Sequence, residues 1–216
     1  MRFLYYSKEK GEETFRKVLM INGSPDVKGC IHTAFLEAAT IFEEAGIESE
    51  EIIVGPKDIR GCIGCRKCKT TGRCIFDDLV NETLPKLKEA QGVILGSPVY
   101  YGNPNGTLLS FIQRLFYSSP DDLHMKVGAS VVSCRRGGNS ATFEALNQFF
   151  GISGMPIAPS SYWNDIHGYT SDDVYDDEEG VETIHNLAYN MIYMMQAIAN
   201  TPKPEIKKKK FTNFIR

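Results

Sequence analysis

The chain predicts a doubly wound α/β fold, with five parallel strands and helices on both faces of the sheet. Three observations carry the expectation. Short, nearly continuous apolar runs alternate with longer runs of helical period, the pattern of strands covered on both sides. Three of the apolar runs stop abruptly at turns rich in Gly, Ser, Pro or Arg. The length, 216 residues, suits one layered core and is short for two independent ones.

The elements follow in order. Lys17 to Asn22 (KVLMIN) reads as a buried strand stopped by Gly23-Ser24-Pro25. Ile31 to Gly46 reads as a helix with Phe35, Leu36, Ala39, Ile41 and Phe42 at its apolar positions and Gly46 as its stop. Glu50 to Val54 is the second strand, followed by an irregular stretch that holds most of the cysteines. Asp78 to Ala90 reads as a helix that Pro85 is expected to bend or delay. Gly92 to Gly96 is the third strand, and Pro104 to Tyr117 is a helix with Leu108, Leu109, Ile112, Leu115 and Phe116 on one face. Val127 to Ser133 is the fourth strand, Ser140 to Phe150 a helix, and Pro156 to Ala158 a short fifth strand. Glu182 to Asn200 is a long, Met-rich helix. Five strands connected this way suit a flavodoxin-like sheet of order 2-1-3-4-5, in which ligands sit beyond the carboxyl ends of the strands. One such domain is expected over residues 1–216. Its core covers about 17–200, with a Cys-rich insertion at 61–76 and a basic tail at 201–216.

Composition narrows the function. Hydrophobic residues make up 42 % and charged residues 24 %, ordinary for a globular chain. A net charge of −3 speaks against a nucleic-acid partner, which needs a basic face. No apolar run approaches the roughly 18–20 residues that span a bilayer, so no membrane partner is expected. The first seventeen residues show no apolar core or small-residue cleavage site, so no signal peptide is read and a cytoplasmic location is expected. Six cysteines in a reducing compartment suggest thiols or ligands rather than disulfides.

The first strand-to-helix loop, Asn22 to Thr33, has the makings of an anion cradle. A helix start offers unpaired N–H groups and a positive dipole end, the combination that binds phosphate. Ser24 and Thr33 can add hydroxyl donors, Lys28 can add charge, and Gly29 permits close approach. Neither the Walker loop nor the G-x-G-x-x-G fingerprint is present, so a mononucleotide phosphate fits better than a triphosphate. An ordinary strand-to-helix turn is the plain alternative. In the second loop, Gly96 to Gly106, Tyr100 or Tyr101 can flank a planar ring while backbone groups and Asn103 meet its polar edge. In the third, Ser133 to Gly138 can lie along another edge of that ring. Arg135 and Arg136 are candidates for a dinucleotide phosphate or for a surface ion pair.

At this point the chain resembles the flavodoxin-like NAD(P)H-dependent FMN reductase superfamily, and in particular its iron–sulfur flavoprotein or multimeric flavodoxin-type branch. The resemblance rests on KVLMINGSP, GCIGCRKCKTTGRCIFDD, GSPVYYGNPNG and the RRGG stretch leading to SYWNDIHG, across residues 17 to about 168. It implies FMN, with its phosphate on Ser24, Gly29, Cys30, Ile31, His32 and Thr33. It also implies ring contacts from Pro98, Val99, Tyr100, Tyr101, Gly102 and Asn103, and from Ser133, Cys134, Arg135, Arg136, Gly137 and Gly138. Relatives commonly place Gly-Asn-Ser/Thr at the helix start, where this chain has Gly29-Cys30-Ile31-His32-Thr33. Cys30 reads as a small buried thiol. NAD(P)H is the implied electron donor.

Cys62, Cys65, Cys68 and Cys74 form the run C-x2-C-x2-C-x5-C, compact enough for several thiolates to meet at one centre. Arg66, Lys67, Lys69 and Arg73 would favour thiolate and offset its charge. Three readings stay open: a [4Fe–4S] cluster, no metal, or a tetrahedral zinc, although the paired spacing of zinc ribbons is absent. The acidic run Asp172 to Gly180 reads as a solvated connection and lacks EF-hand spacing. Ser161 to Gly168 holds the only tryptophan, Trp163, beside His167, a weak candidate proton donor to substrate. This loop is expected either to pack or to reach a neighbouring flavin, since relatives build dimers or tetramers. Assembly of that kind would also bury the Met-rich face of the last helix.

The expectation is therefore an FMN-dependent oxidoreductase that passes electrons from NAD(P)H to a quinone, a nitro- or azo-aromatic compound, a free flavin or an iron–sulfur acceptor. A non-enzymatic electron carrier with a redox-protein partner and a zinc-stabilised binding module are the alternatives.

Overall fold

The computed structural model describes residues 16–205 together with 207, 210 and 212. The basic tail beyond these positions and the first fifteen residues, including the expected absence of a signal peptide, lie outside the described residues.

The first strand, β1 (Lys17–Asn22), begins the centre of the sheet. Its residues alternate between faces as a strand requires: Val18 and Met20 turn to one side, Leu19 and Ile21 to the other, and all four are buried. Around it lie β2 (Glu48–Ile53), β3 (Gly92–Pro98), β4 (Val127–Cys134) and β5 (Asp165–His167) in the order β2-β1-β3-β4-β5. Every neighbouring pair is parallel. This is the order read from the sequence, and it sets the switch point between β1 and β3.

One face is covered by α1 (Cys30–Glu44) and α7 (Glu178–Ala199), which bury Ile31, Phe35, Phe42, Ile184, Leu187 and Met191 against β1, β3 and β4. The other is covered by α3 (Leu79–Glu89), α4 (Gly106–Ser118) and α6 (Asn139–Ile152), with Val80, Leu87, Phe111, Ile112, Leu146 and Phe150 in the core. Two four-residue helices complete the layers: α2 (Cys68–Thr71) inside the cysteine stretch and α5 (Pro120–Leu123) after α4.

The structure corrects three expectations. Pro156 to Ala158 is not the fifth strand. It makes a single bridge through Ile157 to Gly128, at the start of β4, while β5 pairs with Val132, Ser133 and Cys134 at the far end. Pro156 and Pro159 lack the N–H that a longer ladder needs, so the chain leaves the edge and returns six residues later. Pro85 does not delay α3, because Asp78 already caps its start by accepting from the Val80 N–H at 3.1 Å. The acidic run is not a simple loop: Asp172–Asp176 form a 3-10 turn, and Asp177 caps α7 through the Gly180 N–H at 3.1 Å.

Candidate functional site

The loops after β1, β3 and β4 leave the sheet at one edge, on both sides of the switch point. In the first loop, the Asn22 side chain accepts from the Ser24 N–H at 2.7 Å and turns the chain sharply. The Ser24 hydroxyl accepts from the Asp26 N–H at 3.2 Å. Gly29 stands before α1 with no side-chain cap and no acidic residue in the first turn. The first helical bond is Thr33 N–H to the Gly29 carbonyl, so the donors of Cys30, Ile31 and His32 have no acceptor within the helix. Thr33 is buried, and its hydroxyl turns back to the Gly29 carbonyl at 3.4 Å rather than toward the loop.

Behind this loop lies a chain of side chains. The Asn22 amide donates to Glu51 at 2.7 Å, and the other Glu51 oxygen lies 2.6 Å from His32 Nδ1. An ionised carboxylate only accepts, so Nδ1 carries the hydrogen and Nε2 is left over. Cys30 donates its thiol to the Thr170 carbonyl at 3.2 Å, and burial pushes its pKa up.

The second loop is a tight hairpin. Tyr100 and Asn103 exchange backbone hydrogen bonds of 2.8 and 3.0 Å, and the two residues between them, Tyr101 and Gly102, both have positive φ. This is the geometry of a type I′ turn, and it suits Gly102 but strains Tyr101. The Tyr101 ring is fully exposed as a result. Pro98 and Val99 are half-buried, and the Val99 N–H bonds to the Ser133 carbonyl at 2.9 Å, tying the second loop to the third. Below it, the Ser97 hydroxyl receives the Asn105 N–H at 2.8 Å, and Asn105 caps α4.

The third loop rises from buried Ser133 and Cys134 to exposed Arg135, Arg136 and Gly137. Gly138 closes it at φ 91°, where a Cβ would lie 2.8 Å from Val99 Cγ1 and 3.1 Å from Gly102 Cα. Only glycine satisfies both the backbone and the space. Burial pushes the Cys134 pKa up, with Asp165 adding to it, so this thiol and Cys30 stand protonated and buried beneath the loops. His167 lies further along this edge, at the end of β5. It is half-exposed, with its N–H on Asp177 at 2.7 Å and its ring nitrogen 3.3 Å from the same oxygen. Its neighbours Tyr162 and Trp163 stack edge to face at 4.9 Å on the protruding loop.

The four clustered cysteines line one small cavity with Ile63, Arg66, Phe76, Arg114 and Tyr117. It lies against the second half of α4. Eight residues separate Gly106 from Arg114, roughly 12 Å along the helix and away from the crevice rim. Cys62 Sγ accepts from the Gly64 N–H at 3.5 Å, and Cys74 Sγ accepts from Arg114 Nε at 3.2 Å. Among the described residues, no three Cys, His, Asp or Glu side chains converge to metal-ligand geometry.

Sequence reasoning missed Asn22, Glu51, Asp78 and Arg114. Arg114 had a usable signal, because it interrupts the apolar face between Phe111 and Leu115. Glu51 had none, since acids on an edge strand are ordinary.

A parallel sheet of order 2-1-3-4-5 with these three loops at one edge defines a flavodoxin-like protein. Solved structures agree on the fold. RosB with bound 8-demethyl-8-formylriboflavin 5′-phosphate superposes with a TM-score of 0.70 at 14 % identity, covering 93 % of this chain and 92 % of that one. A WrbA-like flavodoxin from Agrobacterium tumefaciens gives 0.58 at 14 % identity, covering 84 % and 98 %. The chain belongs to the NADPH-dependent FMN reductase family, whose model matches residues 16–170. It is 35 % identical over 193 residues to an iron–sulfur flavoprotein of Methanocaldococcus jannaschii, covering 84 % of this chain and 98 % of that one. An iron–sulfur flavoprotein of Methanosarcina thermophila is 26 % identical over 186 residues, covering 84 % and 96 %. The family places the chain among flavin-dependent oxidoreductases and electron-transfer proteins.

Proposed function

We propose that the chain is an FMN-dependent oxidoreductase that takes electrons from NAD(P)H and delivers them to a quinone, a nitro- or azo-aromatic compound, a free flavin or an iron–sulfur acceptor. The observation that carries this is the meeting of three loops above an uncapped helix start. Bound FMN supplies the redox chemistry. The chain's own residues bind and orient it. The free N–H groups of Cys30, Ile31 and His32 and the Ser24 hydroxyl take the phosphate. Tyr100 and Tyr101 flank the ring, and the loop from Ser133 to Gly138 offers N–H groups to its edge. Arg135 and Arg136 lie exposed where the phosphates of a nicotinamide dinucleotide would approach. Cys30 and Cys134, protonated and buried, lie beneath the loops without acting as nucleophiles.

Cys62, Cys65, Cys68 and Cys74 are the residues that would hold a [4Fe–4S] cluster, which supplies one-electron transfer when bound. Their cavity fits on the chemistry of its lining. Four sulfurs share it, two of them already accept N–H bonds, and a buried guanidinium offsets the charge of a thiolate centre. The second reading, a non-enzymatic carrier, is favoured by Arg66 at the cavity and by Lys67, Lys69 and Arg73, exposed on the same segment, which suit an acidic redox partner.

Anaerobic purification with flavin, iron and sulfide assays tests both parts. One FMN per chain and bleaching of the flavin bands on adding NADPH or NADH support the reductase. FMN that no nicotinamide bleaches leaves the carrier, and a colourless protein holding zinc overturns both.

A further inference from the structure

We propose that Arg114 is the positioning residue of the cysteine cavity. It fixes Cys74 and both ends of the cysteine segment, and it raises the electron affinity of a cluster held there. This rests on the cluster reading above.

Arg114 is only 1 % exposed, and a buried charge is tolerated only when it is fully paired. Its guanidinium has five N–H donors, and five contacts use them. Nη1 donates to Asp78 at 2.7 Å and to the Arg60 carbonyl at 3.2 Å. Nη2 donates to Asp78 at 2.9 Å and to the Phe76 carbonyl at 3.4 Å. Nε donates to Cys74 Sγ at 3.2 Å. Arg60 precedes the first clustered cysteine, while Phe76 and Asp78 follow the last. One side chain on a rigid helix therefore pins the segment where it enters and where it leaves. The rings support the same arrangement, since both Arg60 and Arg114 lie over Phe76, at 4.6 and 5.0 Å.

The bond to sulfur is the informative one. A neutral thiol is a weak acceptor, so a buried guanidinium donor aimed at it gains little. A metal-bound thiolate carries full acceptor strength. One-electron reduction of a cluster adds a negative charge to its sulfurs, and an N–H bond to a ligating sulfur strengthens as it does so. The reduced form is favoured and the potential rises. Asp78 opposes this partly, because it compensates the guanidinium charge without touching the sulfur.

The two roles give variants of opposite sign. Arg114→Lys keeps one positive charge but loses the fork that reaches Asp78, Arg60 and Cys74 together. Asp78→Asn keeps a side chain that caps α3 and removes the compensating charge. The full chain is reconstituted anaerobically with ferrous iron and sulfide and assayed for iron, sulfide and retained FMN. It is then titrated with dithionite as electron donor while the reduced cluster is followed by electron paramagnetic resonance. The expected result is that R114K shifts the oxidised-to-reduced ratio at fixed potential about tenfold toward oxidised, about 59 mV lower for one electron. D78N shifts it upward. Iron-loaded variants with unchanged midpoints, or both shifting the same way, overturn the assignment and leave the cluster reading intact. If R114K loses FMN and does not fold, D78N decides alone, and no upward shift overturns the assignment. Wild-type chain that takes up no iron or sulfide overturns the cluster reading and the assignment with it.

Discussion

His32 stands in the first turn of α1 with its Nδ1 committed to Glu51, so Nε2 is the nitrogen left to meet an anion at the helix start, and it donates to one only when the ring is protonated. Tyr101, across the crevice, is held at φ 51° with its ring in solvent. In the proposed site the two residues address different parts of one ligand, and substitutions separate them. His32→Ala is expected to weaken FMN binding about tenfold, the scale of one charge-assisted hydrogen bond, and to leave riboflavin binding unchanged because riboflavin has no phosphate. Tyr101→Asn suits the left-handed backbone and holds the melting temperature within about 2 °C, since surface changes fall within about 0.5 kcal/mol. It weakens FMN and riboflavin alike. Fluorescence titration of the apoprotein with each flavin checks both, and a His32→Ala variant that loses riboflavin equally removes the phosphate role. At this scale the sequence was half legible. The loop residues could be named because Gly, Pro and Tyr at strand ends carry a conformational meaning. Glu51 and Asp78 could not, because a carboxylate on a strand or at a helix start looks alike whether it faces water or a side-chain donor. The Thr33 hydroxyl, expected as a donor to phosphate, closes its own helix turn instead.

The edge strand β2 shows how an element without a strong apolar pattern is held. Only Ile52 of its residues is fully buried. Glu50 lies between Lys17 of β1 at 2.7 Å and Lys86 of α3 at 2.5 Å, so one carboxylate joins two strands and a helix. Burial alone would raise the Glu50 pKa, but the two lysines outweigh it and hold it below the ordinary value of 4.5. A depressed folded pKa stabilises the fold at pH above the unfolded value and loses that contribution as pH falls through the folded one. Both lysines and the carboxylate keep contact with water, which limits the effect. Glu50→Gln is expected to lower the melting temperature by about 2–4 °C at neutral pH, the size of about 1 kcal/mol in a chain this long. The difference from wild type closes as pH falls below 4.5 and through the depressed folded pKa. Thermal melts across that range check it, and a difference that persists in acid shows that the carboxylate charge is not the cause. Legibility followed the same physics. β1, β3 and β4 are buried on both faces and announce themselves as apolar runs. β5 has one apolar residue, Ile166, between Asp165 and His167, and a three-residue edge strand offers no period to read. The more apolar Pro156 to Ala158 drew the expectation, although its prolines forbid more than a bridge.

At the scale of the whole molecule, the parallel order places every strand's carboxyl end at one edge, so loops distant in sequence meet without any residue specifying it. That is why the meeting of the three loops could be anticipated from strand order alone. The opposite question is what the outer surface does. Met191 and Met195 of α7 pack inward and touch the space beside Gly92, so they serve this chain's own core rather than an assembly face. What α7 leaves outside includes Tyr193, and the loop between the Gly128 bridge and β5 exposes Tyr162 and Trp163. Asn186 and Asn190 of α7 bond to Ser161 and Pro159, so the aromatic loop and the outer face of α7 form one continuous surface. Large aromatic side chains in a contiguous exposed patch are what a subunit contact uses, because they carry much apolar area with few rotamers to fix. The chain is therefore expected to sediment as a dimer or tetramer, with Trp163 central to the contact. Trp163→Ala is expected to weaken self-association at least tenfold, since hot-spot aromatics contribute about 2 kcal/mol or more. Sedimentation velocity across a concentration series measures it, with FMN content as the control for folding. If the wild-type chain sediments as a monomer throughout, the aromatic surface serves another partner. If Trp163→Ala assembles as wild type does, the contact lies elsewhere on the chain.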